Sequence, residues 1–241
     1  MDMNAANMKI NQSLWVTPAL TGFALAVAVA GCSVTQKERP ELAGGHCAMI
    51  PPNICSQLTP GTSGQPGLRY LAPNVQWSGY TKVMISPVTG WGGETQKIPA
   101  PDAQALTNYL HNALVQAFAA KYPVVDEPGP GVVRFQTALT DAEAATPVLR
   151  TVSMAVPQAR VLGTLKYAAT GTYPFVGSAQ GEMLITDSVT GQILAAAVDR
   201  RVGGGSIETA AQWQWGDAEN AMNKWAQLAV TRFQNLQARQ P

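Results

Sequence analysis

Apolar residues recur every four positions between Asp102 and Lys121, where Leu106, Leu110, Leu114 and Phe118 share one face beside Ala103, Ala113 and Ala117. That spacing predicts an amphipathic helix, opened by Pro101 and Asp102 and stopped by Pro123. A second helix is predicted over Asp217–Gln237: Met222, Trp225, Ala229, Phe233 and Leu236 face inward and Asp217 is available as its cap. Before the first helix and between the two the pattern is that of strands. Tyr80–Val88 is a β-rich run ended by Pro87, Val124-Val125 a short strand, and Val132–Thr140 a longer one folded back on it by the turn Pro128–Gly131 as an antiparallel pair. Glu182–Thr186 and Gln192–Val198 flank Asp187-Ser188-Val189-Thr190-Gly191, a hairpin in which Asp187 caps its own turn and Gly191 takes positive φ. Pairing Thr186 with Gln192 across that turn sets Glu182 opposite Ala196. No period is sustained from Ser33 to Gln76, where Pro40, Pro51, Pro52, Pro60 and Pro66 alternate with Gly44, Gly45, Gly61, Gly64 and Gly67. This stretch reads as a flexible tether with a root-mean-square reach of roughly 35–40 Å.

The first 31 residues carry a different pattern. Lys9 precedes an almost uncharged run, Leu14 to Ala30, that ends in Gly31-Cys32, the layout of an export signal. A transmembrane anchor is the competing reading, but the run is only just long enough to span, contains Pro18 and has no basic stop-transfer flank. Val29-Ala30-Gly31-Cys32 resembles the lipobox of bacterial lipoproteins. The resemblance implies cleavage before Cys32 and lipidation of its thiol, and Ser33 in the next position implies the periplasmic face of the outer membrane. Several acyl chains together hold a protein stably to a bilayer. The chain then divides into a signal peptide (1–31), a tether (32–76) and one globular domain (77–241).

Composition narrows the function classes. The chain has 241 residues, is 46% hydrophobic and 13% charged, and carries a net charge of +1, so it can bury one good core and lacks the basic excess of a nucleic-acid binder. Cys47 and Cys55 remain as thiols after Cys32. In an oxidising compartment they read as a disulfide, with free thiols or a metal site with His46 as alternatives, the last lacking a fourth ligand. No catalytic constellation, metal-ligand spacing or phosphate-binding loop stands out, and no cofactor is implied. His111 lies mid-helix, and Gly203-Gly204-Gly205 lacks the spacing and lysine of a P-loop. Asp187, Gly191, Asp199 and Arg200, with Glu182 and Arg201, form a candidate polar corner at the hairpin ends, although the expected register does not bring the carboxylates together. Ala144–Gly181 contains no Asp or Glu but carries Arg150, Arg160 and Lys166 among Tyr167, Tyr173, Phe175 and many aliphatic residues. It reads as a core crossover or as an exposed surface for anionic headgroups or an envelope protein. Trp213, Trp215 and Trp225 gather at the last helix, where an exposed aromatic would suit a glycan.

Pro157-Gln158-Ala159-Arg160, Ala169-Thr170-Gly171-Thr172, Thr186-Asp187-Ser188-Val189-Thr190-Gly191, Ala197-Val198-Asp199-Arg200-Arg201-Val202 and the Trp215-Gly216-Asp217 helix entry together resemble the domain-of-unknown-function 3313 family of Gram-negative envelope lipoproteins. That resemblance implies an α/β envelope domain and no activity or catalytic residue. The expected fold is an α+β sandwich, a small mixed or antiparallel sheet of four or five strands packed on the two helices. The expected function is non-enzymatic: an outer-membrane-anchored periplasmic interaction module with a lipid or envelope-protein partner. A small-molecule or glycan-binding protein is the alternative, and an envelope hydrolase a weaker one.

Overall fold

Two long strands joined by the predicted hairpin form the middle of the structure, a computed structural model that describes residues 35–90, 98–146, 176–203 and 214–238. In chain order the strands are β1 (Thr35–Glu38), β2 (Thr59–Pro60), β3 (Leu68–Leu71), β4 (Lys82–Ile85), β5 (Thr89–Gly90), β6 (Val132–Glu143), β7 (Ser178–Asp187) and β8 (Ile193–Gly203). The helices are α1 (Pro52–Cys55), α2 (Ala100–Ala119) and α3 (Gly216–Ala238). The strands make one mixed sheet in the order β2-β3-β8-β7-β6-β4. Beside β3, β1 shares the outer edge of β8; beside β4, β5 shares that of β6. The sheet therefore has eight strands among the described residues, not four or five. The additional strands are two to four residues long, too short to show an alternating pattern.

Three further expectations are corrected. Val124 does not fold back on β6; it bridges Val83 in parallel, outside β4. The chain instead leaves β4, crosses through α2 and returns in β6 parallel to β4, the connection that parallel neighbours require. In the hairpin a bulge between Ile185 and Thr186 pairs Thr186 with Ile193 and sets Glu182 opposite Val198 rather than Ala196. Finally, the segment expected to be a tether is folded from Thr35 onward. It crosses one face of the sheet as a strap that contributes β1, α1, β2 and β3.

The other face carries the main core. Leu106, Leu110, Leu114 and Phe118 of α2 and Met222, Trp225, Ala229 and Phe233 of α3 pack on Val133, Phe135 and Leu139. Phe118 lies 4.6 Å from Phe135 between ring centroids, and Phe233 meets Phe135 edge-on at 5.9 Å. Burying each such side chain stabilises the fold by about 1.5–3 kcal/mol. The entry to α3 is locked by Asp217, whose Oδ2 accepts the Gly177 amide at 2.8 Å. Gly203 is needed beside it, because a Cβ there would lie 2.4 Å from the Asp217 carboxylate.

The strap has a small core of its own, Ile50 and Ile54 against Leu184, Ala196 and Val198, but its irregular backbone is held by polar side chains of the sheet. Glu182, 2% exposed, accepts the amides of Ala48 and Met49 at 2.7 Å and of Ile50 at 3.1 Å. Gln180 brackets Glu41, accepting its N–H and donating to its carbonyl, both at 2.7 Å. Cys47 and Cys55 are joined by a disulfide, their Cα atoms 5.9 Å apart.

At the hairpin turn Asp187 Oδ1 accepts the amides of Val189 at 3.0 Å and Thr190 at 2.7 Å, and Gly191 has φ 70°. The Thr190 amide is the main cause of a carboxyl held below its ordinary range. Asp187 Oδ2 accepts the Tyr80 hydroxyl at 3.0 Å. Burial first, and this carboxylate second, push the Tyr80 hydroxyl up to about 12.

Replacing Glu182 by Gln turns an amide donor toward backbone donors. It is expected to destabilise the domain by about 3 kcal/mol and to raise hydrogen exchange at residues 41–50 selectively, read by mass spectrometry. Reducing the Cys47–Cys55 bond, which closes a short loop, is expected to lower stability by about 2.5 kcal/mol, measured by denaturant melts with and without reductant. Because the folded Asp187 carboxyl titrates lower than the unfolded one, its contribution is present above about pH 4 and is lost as pH falls through the folded value. The stability gap between wild type and Asp187→Asn should therefore narrow in acid melts.

Candidate functional site

Alternation along β8 decides where the expected polar residues go, because successive side chains point to opposite faces. Arg200 points to the strap face. Its Nε donates to Glu38 at 2.9 Å and its terminal nitrogens to Asp141, to Glu143 at 3.4 Å and to the Ser178 hydroxyl at 3.1 Å. Burial opposes the charge, but the Glu38 and Asp141 contacts outweigh it and raise the guanidinium's pKa. Asp199 points to the helix face, where it accepts the Gly67 amide at 2.7 Å, Arg201 Nε at 3.2 Å and the Trp225 indole N–H at 3.0 Å. Asp187 and Gly191 belong to the turn, about 20 Å along the strands from the Gly181–Asp199 pair at a rise of about 3.3 Å per residue. Asp187, Gly191, Asp199 and Arg200 thus form no single corner. The pleat separates the last two and the strand length separates the turn from both.

His111 Nδ1 lies 3.3 Å from the Ser86 carbonyl. His46, the other candidate ligand beside the cysteines, neighbours a disulfide rather than thiols. Groups of three or more metal-ligating side chains are absent among the described residues. Cys32, Arg150, Arg160, Lys166, Tyr167, Tyr173 and Phe175 lie outside the described residues, as does Trp213. Trp215 is buried, its indole N–H 3.0 Å from Asp102 Oδ2, and Trp225 is buried against Asp199.

What the structure does assemble is a cavity of about 400 Å³ between the helix face of the sheet and α3. Strand register lays out its floor in rows. Thr137, Met183, Ala197 and Arg69 form one row across β6, β7, β8 and β3. Phe135, Ile185, Ala195 and Leu71 form the next, and Gly181 and Asp199 begin a third. The space exists because Ala195 and Ala197 are small where larger strand residues would reach the helix, whereas the room left by Gly181 is taken by the Trp225 ring. Trp225, Ala229, Phe233 and Leu236 of α3 form the opposite wall, and residues 63–66 overhang the mouth.

The polar groups of the cavity sit at its ends. Arg232 reaches from α3 across the mouth and donates Nε and Nη2 to the Gly64 carbonyl at 3.1 and 2.8 Å. Desolvation lowers its pKa, partly offset by Asp199. Arg69 Nε is buried without a hydrogen-bond partner, and so is Thr137 Oγ1 at the opposite end of the same row. The sequence signal for this site was the run Ala195-Ala196-Ala197, poor strand formers in a strand. Its meaning appears only once α3 and the 61–67 loop are in place.

No curated protein matches the chain. Among solved structures it is similar to the PelC dodecamer from Paraburkholderia phytofirmans (10% identity, 66% of this chain and 93% of that one, TM-score 0.35). It is also similar to protein XCC0632 from Xanthomonas campestris (12%, 71% and 96%, 0.40) and to a putative neuraminyllactose-binding hemagglutinin homolog from Helicobacter pylori (10%, 69% and 88%, 0.29). Residues 53–229, most of the chain, with strands β2 to β8, all of α2 and the first part of α3, match the model described as "Protein of unknown function (DUF3313)", and the chain belongs to that family.

Proposed function

We propose that this protein is an envelope lipoprotein, lipidated at Cys32 and held at the periplasmic face of the outer membrane, that acts by binding rather than by catalysis. The observation that carries the reading is the position of β1. Thr35 is already paired with Gly203, and three residue steps span at most about 11 Å. A lipid on Cys32 therefore holds the Gly203 end of the sheet next to the bilayer instead of leaving the domain on a long leash. Thr146 and Val176, which flank the acid-free span containing Arg150, Arg160 and Lys166, border β6 and β7 at this same end. That favours contact between the span and anionic headgroups. Binding rather than catalysis is supported by how the ionisable groups are spent: Glu182 on three strap amides, Arg200 on three carboxylates, and Asp199 on an amide, an indole and Arg201. The cavity favours a second reading, small-molecule binding, without conflict with the first.

Cys32→Ala is expected to lose labelled palmitate and to leave the outer-membrane fraction. In the lipidated protein, a photoreactive amino acid at Lys37 or Arg39 should crosslink to lipid. The same probe at Val189, 63% exposed on the turn and about 33 Å away along β8, should not. Palmitate retained by the alanine variant, or lipid adducts as strong at Val189 as at Lys37, would remove the proposal.

A further inference from the structure

The cavity is built for more than a void. Its floor and far wall are apolar (Phe135, Met183, Ile185, Phe233 and Leu236), yet its mouth carries two guanidinium groups. Among the described residues neither Arg69 nor Arg232 makes an ion pair. Of the two carboxylates that border the space, Asp199 is already matched by Arg201. Glu182 also borders the space, but both its oxygens are turned to the strap. A buried polar atom without a partner is costly, and Arg69 Nε and Thr137 Oγ1, the latter in a residue only 6% exposed, are two such atoms in residues whose backbones lie about 14 Å apart, three strand spacings along one row. Ligand sites have this character: concave, mostly apolar, with a few convergent polar groups. The volume of about 400 Å³ lies near the lower end of the usual range, roughly 300–1,000 Å³, which suits one chain and not two.

We infer that this cavity binds a single-chain amphiphile with an anionic head, the head meeting Arg69 and Arg232 at the mouth and the apolar chain running over Met183, Ala197 and Ala195 beneath α3. The 61–67 loop is the lid. Gly61 N–H closes it on the Gly67 carbonyl at 3.0 Å, Gly67 N–H ties one end to Asp199, and Arg232 ties its tip at Gly64. A carboxylate or phosphate arriving at the mouth offers Arg232 a charged acceptor in place of a neutral carbonyl, a stronger hydrogen bond. Head-group binding and release of the lid tip are then one exchange. The site stands independently of lipidation at Cys32.

The test uses residues 33–241. This span lies within one compact unit that contains the whole described sheet and both cores, and its folding is checked first by a cooperative thermal melt. Dodecanoate, dodecyl phosphate, dodecanol and dodecyltrimethylammonium are titrated below their micellar concentrations by calorimetry. At least one of the two anions should bind with 1:1 stoichiometry, and the tighter of them identifies the head as carboxylate or phosphate. Arg69→Gln and Arg232→Gln should each weaken that binding by about tenfold, the usual effect of removing one partner of a charged hydrogen bond. Ala197→Met, which fills the floor, should abolish it while leaving the melting temperature equal or higher, and Ala195→Leu is the second filling variant should the first misfold. Dodecanol or the ammonium probe binding as tightly as the anions would overturn the assignment of the head. Binding of neither anion, or full binding to a folded cavity-filled variant, would overturn the site.

Discussion

A single buried carboxylate decides how the first third of the domain is arranged. The stretch from Glu38 to Leu58 has too few apolar residues in any period to form a helix or strand that packs by itself, and its backbone must still be satisfied once it leaves water. Glu182 supplies acceptors for three successive amides, Ala48, Met49 and Ile50, and Gln180 pairs with both backbone groups of Glu41. These bonds place Ile50 and Ile54 over Leu184, Ala196 and Val198. The disulfide closes the same turn of chain from within. The strap in turn delivers β3 and β1 to the open edge of β8, and with them Arg69 and the 61–67 loop that complete the cavity on the opposite face. The two faces of the sheet are thus coupled through one segment, anchored on one side and lining a site on the other.

The cavity follows from a local shortage of volume. Most helix-facing positions of β6 and β7 are filled by residues that reach α2 and α3, whereas Ala195 and Ala197 of β8 present almost nothing. Interiors are ordinarily packed to crystal density, so a gap of this size beneath a helix costs stability unless something occupies it. The unpartnered polar atoms at its two ends add to that cost. Both features fit the occupant inferred above, beside a main core that α2 and α3 pack on the sheet.

With Thr35 already paired three residues after Cys32, the proposed lipid anchor and the sheet lie close together. A long flexible leash would let the domain explore tens of ångströms. With a strap that is itself part of the fold, the proposed anchor would give the molecule a membrane-proximal end and a distal hairpin. The cavity mouth, at Arg69, Arg232 and the 61–67 loop, lies between these ends, on the side of β8 that β1 and β3 share.

Elements governed by short-range physics were legible in the chain alone. The four-residue spacing of Leu106, Leu110, Leu114 and Phe118 placed α2 within two residues of its observed bounds, and Asp217 to Leu236 did the same for α3. The turn from Asp187 to Gly191 followed from one side chain able to cap it and one residue free to take positive φ. These depend on neighbours a few positions apart, so composition and spacing suffice. The strap, the shifted register that moves Glu182 from Ala196 to Val198, the parallel place of Val124 and the cavity depend on partners far apart in sequence. Glu182 is more than 130 residues from the amides it holds. Even the opposite orientations of Asp199 and Arg200 needed β8 to extend past Val198, which only β1 and β7 on either side of it make possible. Local pattern thus placed the two long helices and the Asp187–Gly191 turn, but neither α1 nor the parallel return of β6. Which polar groups became structural pins and which were left facing the cavity depended on contacts distant in sequence, because a side chain's role is set by what the fold brings against it.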